Sequence, residues 1–180
     1  MLIDNPPRKI GFISLALIIP LLLSCSHKYA SDILDLAFYQ WNQWPDLETE
    51  LTSGAPTCGW EVLHRGNGNL VRIPASITDY HGVSWYHCRF TLPELWEHKK
   101  IALIFEGAGP EVEVYLNEKL VGTHNGSELP FSMDITDVVY YTLDNHLAIR
   151  INDPDGGGGI TGTISAKSSK NLDQPLATGH

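Results

Sequence analysis

The chain has 180 residues, of which 43% are hydrophobic, with five Trp and a formal net charge of −9. That apolar content excludes a disordered chain and suffices for one packed domain with extensions, but not for two large ones. The negative balance, without any Lys/Arg cluster, excludes nucleic acid as a partner, because phosphate recognition needs grouped cations.

The N-terminus reads as an address. Arg8 and Lys9 precede an apolar run from Ile10 to Leu23, interrupted by Gly11, Ser14 and Pro20. Its 14 residues reach ~21 Å as a helix, short of the ~30 Å hydrocarbon core of a bilayer. A secretory signal peptide over 1–24 fits that length better than a membrane span. The run ends in Leu22-Leu23-Ser24-Cys25, which resembles a bacterial lipobox. That resemblance implies cleavage before Cys25, lipidation of its thiol and firm anchoring by several acyl chains. Ser26, in place of a retention aspartate, directs the expectation to the outer membrane of the bacterial cell envelope. Cys58 and Cys88 remain. An oxidising compartment permits a disulfide between them, and a buried free thiol at Cys88 is the alternative.

Residues 25–57 read as a tether plus one short amphipathic helix. Ser31 or Asp32 can cap it, Leu34, Ala37, Phe38, Trp41 and Trp44 recur at helical spacing, and Pro45 stops it. From Gly59 the period changes to two. Strands are expected near 59–64, 69–73, 84–91, 100–106, 111–116, 119–124, 129–133, 146–152 and 160–166, with a polar tail over 167–180. Trp85, His87 and Arg89 share one face of their strand and Tyr86, Cys88 and Phe90 the other. Phe105 and Phe131 are expected in the core. Asn117-Glu118 marks a tight hairpin, and Asp134 and Thr136 suit a helical turn over 136–139. Many short strands without intervening helices define an all-β class, a jelly-roll β-sandwich over 58–166.

The order of motifs across this region resembles the sugar-binding modules of family 2 glycoside hydrolases. It carries Trp60, Pro74, Tyr80-x-Gly82, Trp85-Tyr86, Phe90 and Pro93, then Phe105-Glu106-Gly107 and Val112-x-Val114-x-x-Asn117. It continues with Val121-Gly122, His124-x-Gly126, Pro130-Phe131, Asp134-Ile135-Thr136 and Asn145-x-Leu147. The resemblance implies a galactose-binding-like fold. Glu118 departs from the family's hairpin glycine. The glycine run at 156–159 is longer than in those glycosidases and looks like modules in sialate O-acetylesterases. In family 2 β-galactosidases a similar loop carries an Asp-Gly pair whose Asp faces the substrate and a bound sodium ion. By motif order Asp155-Gly156 takes that place. The family's catalytic glutamate pair lies in a barrel that this sequence does not contain.

No catalytic residue is expected in this chain alone. Glu111 and Glu113 alternate outward from Val112 and Val114 as a solvated face, and no Gly-x-Ser-x-Gly elbow occurs. No metal signature is read from His81 and His87, six positions apart, nor from the two remaining cysteines, and no cofactor is expected. The candidate ligand site is the rim formed by Asp153, Asp155 and the glycine run, with Trp85, His124 and Asn125. The function expected is a non-catalytic carbohydrate-binding module on a lipoprotein, holding glycan or a glycosidase partner near the membrane. The alternatives are a split family 2 glycosidase and a structural jelly roll that mediates protein contacts. For the anchor, Cys25→Ala abolishes labelling by radioactive palmitate; equal incorporation in wild type and variant removes lipidation at Cys25.

Overall fold

The computed structural model describes residues 31–46, 55–56, 58–76, 80–126 and 129–169. The signal peptide expected over 1–24, Cys25 and residues 170–180 of the expected tail lie outside the described residues. Two β-sheets carry most of the structure. In chain order the strands are β1 (Ile33–Asp35), β2 (Trp41–Pro45), β3 (Asn69–Val71), β4 (Ala75–Ser76), β5 (Gly82–Phe90) and β6 (Lys100–Phe105). They continue as β7 (Glu111–Leu116), β8 (Lys119–Asn125), β9 (Phe131–Asp134), β10 (Asn145–Asp153), β11 (Gly159–Ile160) and β12 (Ile164–Ser169). Among the described residues one α-helix, α1, spans Trp60–His64. The sheets run β3-β2-β5-β10-β7-β8 and β1-β12-β6-β9, and β11 pairs β4 in a small ribbon.

The alternation read from the sequence sets the layers. Tyr86, Cys88 and Phe90 of β5 point inward with Leu147, Ile149 and Ile151 of β10 and Val112, Val114 and Leu116 of β7. Ile101, Leu103 and Phe105 of β6 and Ile164 and Ala166 of β12 meet them from the other sheet. Phe105 is fully buried and stacks on Phe131 at 4.5 Å between ring centroids. Phe131 itself is only half-buried, because β9 is the edge strand of its sheet.

Two expected elements differ. The helix expected from Leu34 to Trp44 is instead β1, a 3-10 turn at Leu36–Phe38 and β2. Asp35 caps the turn by accepting a hydrogen bond from the Ala37 amide at 2.8 Å. Trp41 then pairs with Cys88 across β2 and β5 and buries completely, while Phe38 stays exposed. Pairing along β5 and burial of an indole outweigh a helical spacing that no tertiary surface uses. The sandwich therefore begins at Ile33 rather than 58, and the tail expected from 167 starts later, since β12 runs to Ser169.

Conversely, 59–64 is a helix rather than a strand. Trp60, Leu63 and His64 stand at i, i+3 and i+4, so one helical face covers the outer side of the larger sheet. Six residues are too few to separate period two from period 3.6. Asn117 and Glu118 both take positive φ, 51° and 68°, as a type I′ hairpin requires. The Asn117 amide holds that turn by donating to Val138 O at 2.7 Å and Asn145 Oδ1 at 3.1 Å.

Cys58 and Cys88 are free thiols, the first exposed and the second buried, so of the two alternatives left open by the sequence the buried free thiol at Cys88 holds. Cys88 points into the core, whose burial pushes its thiol up to about 12. Replacing Phe105 by Ala removes a ring packed on both sheets and destabilises the fold by ~3–5 kcal/mol. Urea unfolding measures this, and a loss under ~1 kcal/mol contradicts the core assignment.

Candidate functional site

Among the described residues, two clefts lie at opposite ends of the β5–β10 pair. At one end Asp153 pairs with Gly82, and the chain then turns through Pro154–Gly158. Asp153 is buried, and its carboxylate accepts the amides of Gly156, at 2.9 Å, and Gly158. Gly156 and Gly157 sit at φ +81° and +88°, a backbone that side chains disfavour. A Cβ on Gly158 would stand 2.5 Å from Gly109 O, so the loop packs directly on neighbouring backbone. The imidazole of His81 lies over Gly156, its Nδ1 3.2 Å from Pro154 O. The resulting cleft of ≈ 210 Å³ is lined by Gly109, Pro110, Asp155, Gly156–Gly158 and Thr161, with Asp153 at its base.

Of the residues expected at this rim, Asp155 is exposed and faces the cleft, while the Asp153 carboxylate is engaged by its own loop. The strand end carrying Asn125 reaches the rim through Gly126, whose amide donates to Pro110 O at 2.9 Å. Asn125 is exposed beside Glu111, which also accepts from Asn152 at 2.7 Å. His124 instead lies flat on Phe131, 4.0 Å between centroids and 14° between planes, as part of the packing.

Trp85 is not at the rim. It is 2% exposed and faces the outer side of the sheet. Its Nε1 donates to Asp46 Oδ2 at 2.8 Å, and Trp60 meets it edge-on at 5.7 Å. It cannot offer a stacking face to a ligand. Its burial follows from α1, the element whose type the sequence pattern missed. Glu113 also differs from the expected solvated face. The side chain is 12% exposed rather than solvated, with Arg150 Nη1 at 3.0 Å and Tyr115 Oη at 2.6 Å.

The second cleft opens at the other end, where Asn145 pairs with Phe90. Here His87 of β5, His146 of β10 and His64 of α1 come together, with one ring nitrogen of each within 4.8 Å of the others. His87 Nε2 is 3.1 Å from His146 Nδ1, and His64 lies on His146 at 4.1 Å between centroids. Burial, then repulsion from the neighbouring imidazoles and Arg89, pushes His87 down to about 3. Burial lowers His64 and His146 as well, so all three rings are neutral near pH 7. Asn42, Arg65, Gly66 and Arg89 are among the residues that, with His64 and His87, line a cavity of ≈ 290 Å³. No sequence spacing signalled this cluster, because its members come from a helix and two strands far apart in the chain.

Comparison with known proteins places this architecture. Residues 69–156 match the family described as glycosyl hydrolases family 2, sugar binding domain. A β-galactosidase of Thermoanaerobacter pseudethanolicus is 37% identical over 75 residues, 41% of this chain and 10% of the relative. A β-glucuronidase of Paenibacillus borealis is 32% identical over 84 residues, 47% of this chain and 14% of the relative. The chain thus matches only about a tenth of such curated relatives. Among solved structures, a β-glucuronidase of an uncultured Clostridium superposes with a TM-score of 0.61 at 21% identity, over 77% of this chain and 29% of that one. Bacteroides uniformis β-glucuronidase 2, in a calcium-binding mutant form, gives 0.60 at 23% identity over 76% and 18%. These two show the same fold.

The two aspartates of the rim have separable roles. Asp153→Ala strands two loop amides and costs ~1.5–3 kcal/mol of stability, the range for hydrogen bonds to a charged group. Asp155→Ala stays within ~0.5 kcal/mol, as for exposed positions. Thermal melts of both variants check the assignment, and equal losses contradict it.

Proposed function

We propose that this chain, whose segment 69–156 is a sugar binding domain of the glycosyl hydrolase family 2 type, is a non-catalytic carbohydrate-binding module of a bacterial envelope lipoprotein. The observation that carries the reading is the glycine-rich cleft. Asp153 fixes the loop from below, and the exposed Asp155 carboxylate stands over glycines that let a ligand approach the backbone. A carboxylate accepts hydrogen bonds from adjacent sugar hydroxyls, and a loop already held in place loses little entropy on binding.

The charge at the rim favours a neutral sugar. Asp155 and the chain's net charge of −9 repel a uronic acid, so galactosides suit the cleft better than glucuronides. His81 over Gly156, rather than Trp85, supplies the ring beside the cleft. The lipobox-like segment ending at Cys25 supports display of this cleft at a membrane surface.

A second reading rests on the short match to the relatives: one part of a two-chain glycoside hydrolase, in which the cleft completes a partner's active site. Calorimetry on the full chain in detergent, with methyl β-D-galactoside and β-linked galacto-oligosaccharides, tests the first reading. Wild type binds, and Asp155→Ala binds ~10- to 150-fold more weakly, as expected for lost hydrogen bonds to a charged acceptor. Undetectable binding by wild type, or unchanged affinity in the variant, removes the cleft as an independent sugar site.

A further inference from the structure

We propose that His64, His87 and His146 form a three-imidazole site for a zinc-class divalent ion, separate from the glycine-rich cleft. The two places lie at opposite ends of β10. Asp153 follows His146 by seven positions, about 23 Å along an extended strand. The proposal therefore stands whether or not the rim binds sugar.

The spacing of the three donors suits a tetrahedral ion. In a tetrahedral zinc centre, Zn–N bonds of ~2.0–2.1 Å place ligand nitrogens ~3.4 Å apart. His87 Nε2 and His146 Nδ1 are already 3.1 Å apart, and all three donors lie within 4.8 Å. His87 is locked by burial, at 3% exposure, while His64 and His146 are half-buried. His64 Nε2 is buried without a hydrogen-bond partner, an unusual state for a ring nitrogen in a packed interior. Its other nitrogen, Nδ1, lies 3.8 Å from Glu118 Oε1, beyond hydrogen-bond reach but close enough to set a carboxylate beside the cluster.

Glu118 is itself informative. It sits at φ +68° in a hairpin turn where glycine is free of strain. Its side chain brings a negative charge to the cluster.

The chemistry selects the metal class. Imidazole donors suit zinc, nickel, cobalt and copper, whereas calcium and magnesium require oxygen ligands. The proton shared between His87 and His146 moves to the other nitrogen of its own ring. Two guanidinium groups face the cavity, and each has a carboxylate neighbour: Arg65 with Glu61 at 3.7 Å and Arg89 with Asp144 at 3.5 Å. The cavity leaves the fourth coordination position to water.

The test uses the full chain in detergent, stripped with chelator and titrated with zinc chloride by calorimetry, with cobalt chloride followed by visible absorption. The expected result is one zinc per chain, a raised melting temperature, cobalt ligand-field bands, and no response to calcium or magnesium. His64→Gln and His146→Gln each weaken zinc by more than ~100-fold, beyond the ~10- to 100-fold typical of outer-sphere changes. His81→Gln and His98→Gln, outside the cluster, bind as wild type. Absence of stoichiometric zinc binding and of cobalt bands in the wild-type chain overturns the proposal without recourse to any variant. So does wild-type zinc affinity in both cluster variants.

Discussion

The pairing of β5 with β10 is the constraint on which the rest of the molecule depends. Nine consecutive residues, Gly82–Phe90, meet Asn145–Asp153 in unbroken antiparallel register. Because side chains alternate, one face of this pair supplies the centre of the core and the other the floor beneath α1. A slip of one residue would exchange Tyr86, Cys88 and Phe90 for Trp85, His87 and Arg89. That would put a guanidinium and an imidazole into the apolar interior. The register is thus fixed from both sides, unlike that of a sheet with one solvated face.

The same pairing distributes chemistry along its length. At one end the ladder finishes at Asp153, whose carboxylate turns the departing chain back on itself. In the middle, Trp85 and Arg150 form a second, outward-facing interior with Tyr115 and Glu113. At the other end two histidines lie side by side and receive a third from the helix above. Asp46, which receives the Trp85 indole proton, links this outward layer to the strand that leads into it.

How much of this was legible depended on whether a signal was local. The alternation in 84–91 and 111–116 separates inward from outward positions without ambiguity, and the order of motifs gives the fold class. The turn at Asn117-Glu118 and the loop held by Asp153 are also local. What the sequence concealed is tertiary. The stripe Leu34–Trp44 fits a helix by spacing, yet Trp41 pairs with Val71 of β3 and with Cys88 of β5, 30 and 47 positions downstream. Trp60–His64 looks like a short strand until the outer face of a sheet is available to cover. The histidine cluster depends on the second of these, since His64 reaches His87 and His146 from a helix. His87 and His146 are 59 positions apart. The sandwich and the rim loop were therefore readable, and the outer layer was not.

The closure of the smaller sheet has a mechanical consequence. β1 pairs antiparallel with β12, with Ile33 opposite Lys167, and Asp32 accepts hydrogen bonds from the Ser168 amide and hydroxyl. The chain enters and leaves through neighbouring points on one edge, with Lys99 bridging Asp32 and Ser168. Tension between these points does not load the ladder all at once, as it would if the strands were pulled past one another. It opens the pair from Asp32 and Ser168 inward, one rung after another. Under a pull between its ends the domain yields first as a zipper at this edge, while the longer β5–β10 ladder lies outside the direct line of force.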